Sequence, residues 1–211
     1  RRVVTLKINH GKSEVFNGHG TQCCVDFLRG GTGDGFVEEN VEFARKQIKN
    51  IKWNHDVGFM IYCSFGNGLR LTGDPEYKEV IVEAARSLST RFRPVAGIIQ
   101  SWDVDRGWIS ERGWECPVII DNMMNLELLF AATRLSGDST FYKVAVSHVD
   151  RTMKEQYRPD GSCYHVVDYS MKDGSVRNRH TTQGYAHESA WSRRQAWGIY
   201  GLMLCYRETS C

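Results

Sequence analysis

The sequence predicts an all-α protein in which enclosed helices alternate with surface helices, the order of an α/α toroid. The first observation is an internal repeat: residues 70–74 (Arg-Leu-Thr-Gly-Asp) recur almost unchanged as residues 134–138 (Arg-Leu-Ser-Gly-Asp). The second is an apolar stripe at helical spacing after each copy. After the first copy the stripe comprises Tyr77, Val80, Ile81, Ala84 and Leu88. After the second copy, 65 residues later, it comprises Tyr142, Ala145, Val146, Val149 and Met153.

The N-terminal part of the chain has little periodicity. We expect residues 1–36 to be irregular, and the glycine-rich run at 30–35 to be a flexible connector, because it lacks the Gly-Lys-Ser/Thr ending of a phosphate loop. An amphipathic surface helix is predicted at 37–51. A partial α/α barrel is therefore predicted over residues 37–211.

The remaining helices fall into two kinds. Segments 56–68, 118–132 and 190–206 are apolar on nearly every side and are predicted to be enclosed, whereas 75–90 and 139–156 are amphipathic and form an outer layer. Between them lie aromatic loops that carry Trp102, Trp108, Trp114 and a strand-like stretch at 163–167. In a toroid such loops surround the mouth of the central funnel, where indole rings can stack on sugars.

Composition excludes several classes of function. The formal net charge of +2, with scattered Lys and Arg, does not indicate a nucleic-acid partner. There is no apolar run of about 18 residues and no secretory leader pattern, so we expect a soluble protein with no membrane partner. The seven cysteines form no C-x-x-C pair and are expected to be reduced thiols. His187-Glu188 lacks the His-Glu-x-x-His continuation, so neither a metal nor a cofactor is assigned.

Asp56 and Asp121 are the candidate catalytic carboxylates, because each begins an enclosed helix. From the residues alone, helix capping is the commoner use of such an aspartate. Burial would disfavour the ionised form of Asp121 while the helix N-terminus would favour it, and the sequence does not decide between them. Arg193, near the start of the third enclosed helix, could bind a carboxylate in a bidentate manner.

Three motifs in order resemble unsaturated glucuronyl hydrolases, glycoside hydrolase family 88. They are residues 53–60 (Trp-Asn-His-Asp-Val-Gly-Phe-Met), 117–125 (Pro-Val-Ile-Ile-Asp-Asn-Met-Met-Asn) and 183–193 (Gln-Gly-Tyr-Ala-His-Glu-Ser-Ala-Trp-Ser-Arg). The resemblance implies an (α/α)6 barrel, apparently incomplete in this chain. It also implies a bacterial enzyme, cytoplasmic or periplasmic, which removes the 4,5-unsaturated uronic acid from the non-reducing end of lyase-generated oligosaccharides of glycosaminoglycan type.

Residue roles follow from the same resemblance. Asp121 corresponds to the catalytic acid/base, and Asp56 corresponds to the second essential carboxylate, which holds the sugar hydroxyls. The residues expected to bind substrate are His55, His165, Gln183, Trp191, Arg193 and Trp197. From the residues alone, His165 is more often a structural histidine. Trp191 and Trp197, six residues apart, do not share one helical face, so at least one could belong to the core.

The chain departs from the family in two places. Relatives have a longer stretch between the first surface helix and His55, and they continue beyond Thr209, so about half of a toroid is expected. Inner helices would then expose apolar faces, and the oligomeric state is open. Two alternatives remain: an unsaturated rhamnogalacturonyl hydrolase, or a truncated, non-catalytic carbohydrate-binding remnant.

Overall fold

The computed structural model describes residues 55–210, so the segments predicted at 1–36 and 37–51 lie outside the described residues. The first inner helix is built from α1 (Val57–Ile61), a π-helical turn (Tyr62–Gly66) and α2 (Asn67–Thr72). It ends at Gly73, whose φ of 73° is the left-handed conformation that glycine adopts without strain. The predicted inner helix at 56–68 is confirmed, and it begins one residue later and ends four residues later, at Thr72.

The outer helix α3 (Pro75–Ser89) matches the prediction of a surface helix at 75–90. Its Asp74 carboxylate accepts a hydrogen bond from the amide of Glu76 at 2.9 Å, and Pro75 occupies the first turn, where no amide partner is needed. All members of its predicted stripe are buried: Tyr77, Val80, Ile81, Ala84 and Leu88. These side chains form the core contact with the inner helices.

The segment after α3 begins with a short hairpin and an aromatic loop. Strands β1 (Phe92–Arg93) and β2 (Ile98–Ile99) pair antiparallel, and a 3-10 helix (Gly107–Arg112) follows. The predicted helical start at 118 was wrong. Residues Pro117–Ile119 form strand β3, Ile120–Asn125 form a 3-10 helix, and only then does α4 (Leu126–Ser136) begin.

The second outer helix, α5 (Ser139–Glu155), confirms the surface helix predicted at 139–156 but corrects its buried face. Tyr142 and Met153 of the predicted stripe are exposed. The buried residues are Phe141, Val144, Ala145, His148, Val149 and Thr152. They match the α3 stripe with a displacement of 64 residues, the same as for the repeated phrase, so the predicted displacement of 65 was one residue too long.

A three-stranded antiparallel sheet is the main feature that the all-helical prediction missed. Its strands are β3, β4 (Val166–Tyr169) and β5 (Val176–His180), in that order. Ile119 pairs with Val166, and Val166 pairs with His180. The end of β3, the start of β4 and the end of β5 therefore meet at one edge of the sheet.

The third inner helix, α6 (Ser192–Thr209), is only partly enclosed. One face packs on the 3-10 helix at 120–125, where Gly201 lies against Met123 so closely that a β-carbon would overlap it. The opposite face carries exposed apolar side chains: Ile199, Tyr200, Met203 and Tyr206. The prediction of a helix enclosed on all sides was wrong for that face, whereas the exposure expected of an incomplete ring is confirmed.

The cysteines in residues 55–210 agree with the prediction of reduced thiols, since Cys63, Cys116, Cys163 and Cys205 form no disulfide. Burial raises the pKa of Cys116 to about 12 and that of Cys163 to about 11, so both stay protonated and unreactive near neutrality. Cys23, Cys24 and Cys211 lie outside the described residues. No helix within the described residues is long and apolar enough to cross a membrane.

Candidate active site

Asp121 lies in the first turn of the 3-10 helix that follows β3, at the shared edge of the sheet. Its side chain is 14% exposed and forms an ion pair with Arg194 of α6 through Oδ2. The other carboxylate oxygen, Oδ1, is buried and has no hydrogen-bond partner within residues 55–210. A buried acceptor without a partner is costly, so its presence at this point indicates a functional site.

Asp56 occupies the N-cap position of α1, but its side chain does not cap the helix. The first-turn amide of Phe59 instead donates to Oδ1 of Asn125 at 2.8 Å, from the end of the neighbouring 3-10 helix. Gly58 permits this approach, since a β-carbon there would lie 2.7 Å from Asn125. The Asp56 carboxylate is 39% exposed and lies on the open side of the site.

His55 connects Asp56 to the sheet. Its Nδ1 donates to the carbonyl oxygen of Ser101 at 2.8 Å, and its Nε2 lies 3.1 Å from Oδ1 of Asp56. Ser101 in turn accepts a hydrogen bond from the amide of Ile119 at 2.9 Å, through Oγ. Burial lowers the pKa of His55, and the Asp56 carboxylate opposes that shift. His55 is therefore fixed to the segment that leads to β3, with its Nε2 beside the Asp56 carboxylate.

Arg194 is a site residue that the sequence did not reveal. It is 4% exposed, pairs with Asp121, and donates to Oε1 of Gln183. Its guanidinium carbon lies 4.7 Å from the ring centroid of Trp191 and 4.9 Å from that of Trp197. The two tryptophans therefore contact the same cation. They were expected to lie on different helical faces, but that argument does not apply, because Trp191 precedes the first residue of α6. Burial lowers the pKa of Arg194 to about 9, which leaves it charged near neutrality.

Arg193, the arginine that the sequence singled out, is exposed. Its guanidinium carbon lies 4.3 Å from the ring centroid of Trp191 and 5.6 Å from that of Trp197. The adjacent arginines thus flank the same pair of rings, one from the solvent side and one from the interior.

His165 lies immediately before β4, at the same edge of the sheet. Its Nδ1 accepts a hydrogen bond from the amide of Thr182 at 3.1 Å, so in the neutral ring the proton is on Nε2. That Nε2 is buried without a partner in the described part of the chain. Burial, with a contribution from Arg193, lowers the pKa of His165 to about 4. Near neutrality His165 is an uncharged hydrogen-bond donor 5.7 Å from Trp191, centroid to centroid.

An aromatic wall continues from the site along the loop between β2 and β3. Its three indoles are in contact, with centroids of Trp102 and Trp108 separated by 5.4 Å and those of Trp102 and Trp114 by 6.3 Å. His55 lies edge-on to Trp102 at 6.3 Å. Trp108 is 50% exposed, so the outer end of this wall is open to solvent. The prediction that such loops surround the mouth of a funnel stays a prediction, and what the structure adds is that these three indoles contact one another.

Within residues 55–210, no three His, Cys, Asp or Glu side chains are grouped so that they could hold a metal ion. The structure brings together Asp56, Asp121, His55, His165, Gln183, Trp191 and Trp197, with Arg193 at the rim. Sequence reasoning missed Arg194, Ser101 and Asn125. The one signal for Arg194 was its place beside Arg193.

Inner and outer helices that alternate along the chain define the class of α/α-toroid proteins. No protein-family model matches the chain. An unsaturated glucuronyl hydrolase from Formosa agariphila is 48% identical over 183 residues, which are 85% of this chain and 44% of that protein. An unsaturated chondroitin disaccharide hydrolase from Streptococcus agalactiae serotype III is 36% identical over 157 residues, 74% of this chain and 38% of that protein.

The solved structures agree. The crystal structure of an unsaturated glucuronyl hydrolase specific for heparin matches with a TM-score of 0.72 and 43% identity, over 78% of this chain and 43% of that one. The chain belongs to the unsaturated glucuronyl hydrolase family, and its fold is part of an (α/α)6 barrel. It spans less than half the length of these relatives.

Proposed function

We propose that the chain carries the active site of a glycoside hydrolase that removes a 4,5-unsaturated uronic acid from the non-reducing end of lyase-generated oligosaccharides. The names of two relatives specify chondroitin disaccharides and heparin, which supports substrates of glycosaminoglycan type. The single observation that carries the proposal is the buried Oδ1 of Asp121, which has no partner within residues 55–210. The other oxygen of Asp121 pairs with Arg194, which contacts Trp191 and Trp197 and interacts electrostatically with Asp56.

The proposed reaction needs one carboxyl group that can give and take a proton. Protonated Asp121 delivers a proton to C4 of the enol ether, and water adds at C5 as its own proton passes to Asp121. The product is a hemiketal at C5, which opens and expels the leaving sugar. One water is consumed and Asp121 ends in its starting state. Because no carboxylate attacks the anomeric carbon, the carboxylate-separation rule for ordinary glycosidases does not apply.

The other side chains bind the uronate in this proposal. Asp56 accepts hydrogen bonds from sugar hydroxyls, while the Nε2–H of His165 donates to the substrate. Gln183 extends the polar side of the pocket, and Trp191 and Trp197 cover the apolar face of the ring. Arg193 approaches the uronate carboxylate from the solvent side.

The test is the loss of ultraviolet absorbance of unsaturated disaccharides prepared with chondroitin and heparin lyases, because the C4=C5 bond is the chromophore. Absorbance should fall with the purified protein and stay constant with Asp121→Asn. An unsaturated rhamnogalacturonyl disaccharide, run in parallel, distinguishes the pectin-directed alternative. If a folded protein leaves every substrate unchanged, the hydrolase proposal is wrong for this chain. The non-catalytic binding alternative is then favoured, in line with the exposed apolar face of α6.

A further inference from the structure

The pairing of Arg194 with Asp121 conflicts with the role proposed for Asp121. A guanidinium beside a carboxylate favours the ionised form, whereas an acid catalyst has to carry a proton when the substrate is in place. The conflict disappears if the ion pair exists only before substrate binds. The unsaturated uronate brings its own carboxylate, which is a suitable bidentate partner for arginine.

The surroundings of Arg194 suit such an exchange. Its Nε is buried and has no hydrogen-bond partner among residues 55–210, so the guanidinium has unused donor capacity. Trp191 and Trp197 lie 4.7 Å and 4.9 Å from its carbon and would continue to stabilise the cation as it turns. Its hydrogen bond to Gln183 would anchor the guanidinium while the bond to Asp121 is exchanged.

We propose that Arg194 is a charge-exchange residue, which pairs with Asp121 in the empty site and transfers to the substrate carboxylate on binding. The inference rests on the proposed function and deepens it. Asp121, left buried without its cation and near a new negative charge, takes one proton from solvent. That proton is the one delivered to C4, and the proton of the attacking water restores it. Substrate binding therefore protonates the acid catalyst.

Other charged and titratable groups face this pair from several elements. Asp56 and His55 adjoin the start of α1, His165 precedes β4, and Arg193 lies on α6. Burial lowers the pKa values of both histidines, that of His165 to about 4, so both are neutral around pH 7. Arg193 remains cationic and is exposed, where solvent screens it. Arg194 is then the buried cation in direct contact with Asp121.

The first test compares pH profiles of turnover for the wild type, Arg194→Gln and Arg194→Lys. Arg207→Gln is the matched control, because Arg207 is an exposed arginine of the same helix that pairs with Glu127. As pH rises, Asp121 loses its proton and turnover falls. In the wild type, the fall in kcat/KM, which reports the free enzyme, should occur about one pH unit or more below the fall in kcat, which reports the substrate complex.

In Arg194→Gln the fall of kcat/KM should move up by about one unit, and KM should rise about tenfold or more. Arg194→Lys keeps the charge and should retain most of the wild-type profile while its KM rises. If Arg194→Gln and Arg207→Gln both show wild-type profiles, Arg194 has no electrostatic role and the inference is wrong.

A second measurement does not depend on turnover. Titration calorimetry with D-glucuronate, in buffers of different ionisation enthalpy, should show uptake of about half a proton or more per bound ligand at the pH between the falls of kcat/KM and kcat. D-Glucose should show none, and Arg194→Gln should lose the uptake and most of the preference for glucuronate over glucose. Proton uptake without any turnover would uphold the exchange and reject the hydrolase function. Turnover without proton uptake, or no preference of the wild type for glucuronate, would overturn the exchange.

Discussion

Within residues 55–210, four aspartates begin helices, and the outer pair and the inner pair differ in what their side chains contact. On the outer layer, Asp74 and Asp138 accept hydrogen bonds from the amides of Glu76 and Thr140, at 2.9 Å and 2.8 Å. Both are ordinary N-caps. On the inner layer, Asp56 and Asp121 make no such bond to their own helices.

At the first inner helix, a residue from another segment supplies the helix cap. Asn125, from a segment 66 residues away in sequence, satisfies the Phe59 amide that the Asp56 side chain would otherwise serve. Asp121 is one residue inside a 3-10 turn and pairs with Arg194. When a neighbouring element supplies the cap, the carboxylate at the helix start can face a ligand. The same residue type therefore caps helices in the outer layer and leaves its carboxylate available for the proposed chemistry in the inner layer.

The largest effect is expected from Asp121→Asn, which should reduce kcat by about a thousandfold, because it removes the proton donor. The fold should survive, since the asparagine oxygen still accepts from Arg194 and the volume is nearly unchanged. Absorbance loss of an unsaturated disaccharide measures the rate, and circular dichroism measures the fold. Asp138→Asn is the outer-layer control and should alter neither. Substantial activity in Asp121→Asn would show that the two layers do not differ as described.

Two buried histidines extend the comparison to pH. Burial lowers the pKa of His148 on α5 to about 3 and that of His165 at the site to about 4. The unfolded chain binds protons at higher pH, so the stability that each neutral ring contributes is present above pH 6.5 and is lost as pH falls toward these values. The total loss is about 5 kcal/mol for His148 and about 3 kcal/mol for His165.

Urea unfolding between pH 7 and pH 4 should therefore show a falling free energy of unfolding, with a shallower fall in His148→Asn and in His165→Asn. Only His165→Asn should also lower kcat/KM at pH 7, because His148 contacts the backbone of β2 and not the pocket. An unchanged slope in both variants would mean that neither ring is buried as a neutral group.

Gly201→Ala probes the contact that joins α6 to the Asp121 segment. The added methyl group would overlap Met123, so we expect destabilisation of about 1–3 kcal/mol and a loss of activity as Arg194 and Asp121 separate. Met203→Ala, on the exposed face of the same helix, should change the stability by less than about 0.5 kcal/mol. Thermal unfolding and turnover are measured for both variants. Equal stability and activity in the two would show that α6 is not anchored at Gly201.

The smallest effect concerns the outer caps. Asp138→Ala should lower the free energy of unfolding by about 1 kcal/mol and leave kcat/KM unchanged, since the cap lies outside the site. Asp138→Asn should retain the stability, because asparagine caps equally well. A large fall in activity with Asp138→Ala, measured at a temperature well below its unfolding midpoint, would contradict a purely structural role.

The outer helices could be predicted almost to the residue, because their signals are local. An aspartate cap, a glycine before it and apolar residues at spacings of three and four all lie within α3 or α5. The error of one residue in the repeat had the same local origin, since Tyr142 resembles Tyr77 more closely than Phe141 does. Only burial shows that Phe141 faces the core.

The start of the Asp121 segment was not predictable in the same way. Residues 117–119 continue an apolar run that suits either a helix or a strand, and the choice was made by pairing with β4, nearly 50 residues later. This pairing places Asp121 beside His165 and the residues after β5. The site therefore depends on the register of a sheet of which the sequence indicated only the strand-like stretch at 163–167, which overlaps β4.

The sequence by itself determined the repeat of helix pairs, the positions of both inner carboxylates and the family motifs, because these depend on residue identity and short spacing. The tertiary structure decided which carboxylates cap, which face of α6 is covered and which of two adjacent arginines enters the pocket. Neighbouring residues on a helix point about 100° apart. Whether Arg193 or Arg194 is buried therefore depends on the rotation at which α6 packs against the Asp121 segment, which is set by long-range contacts such as that of Gly201 with Met123.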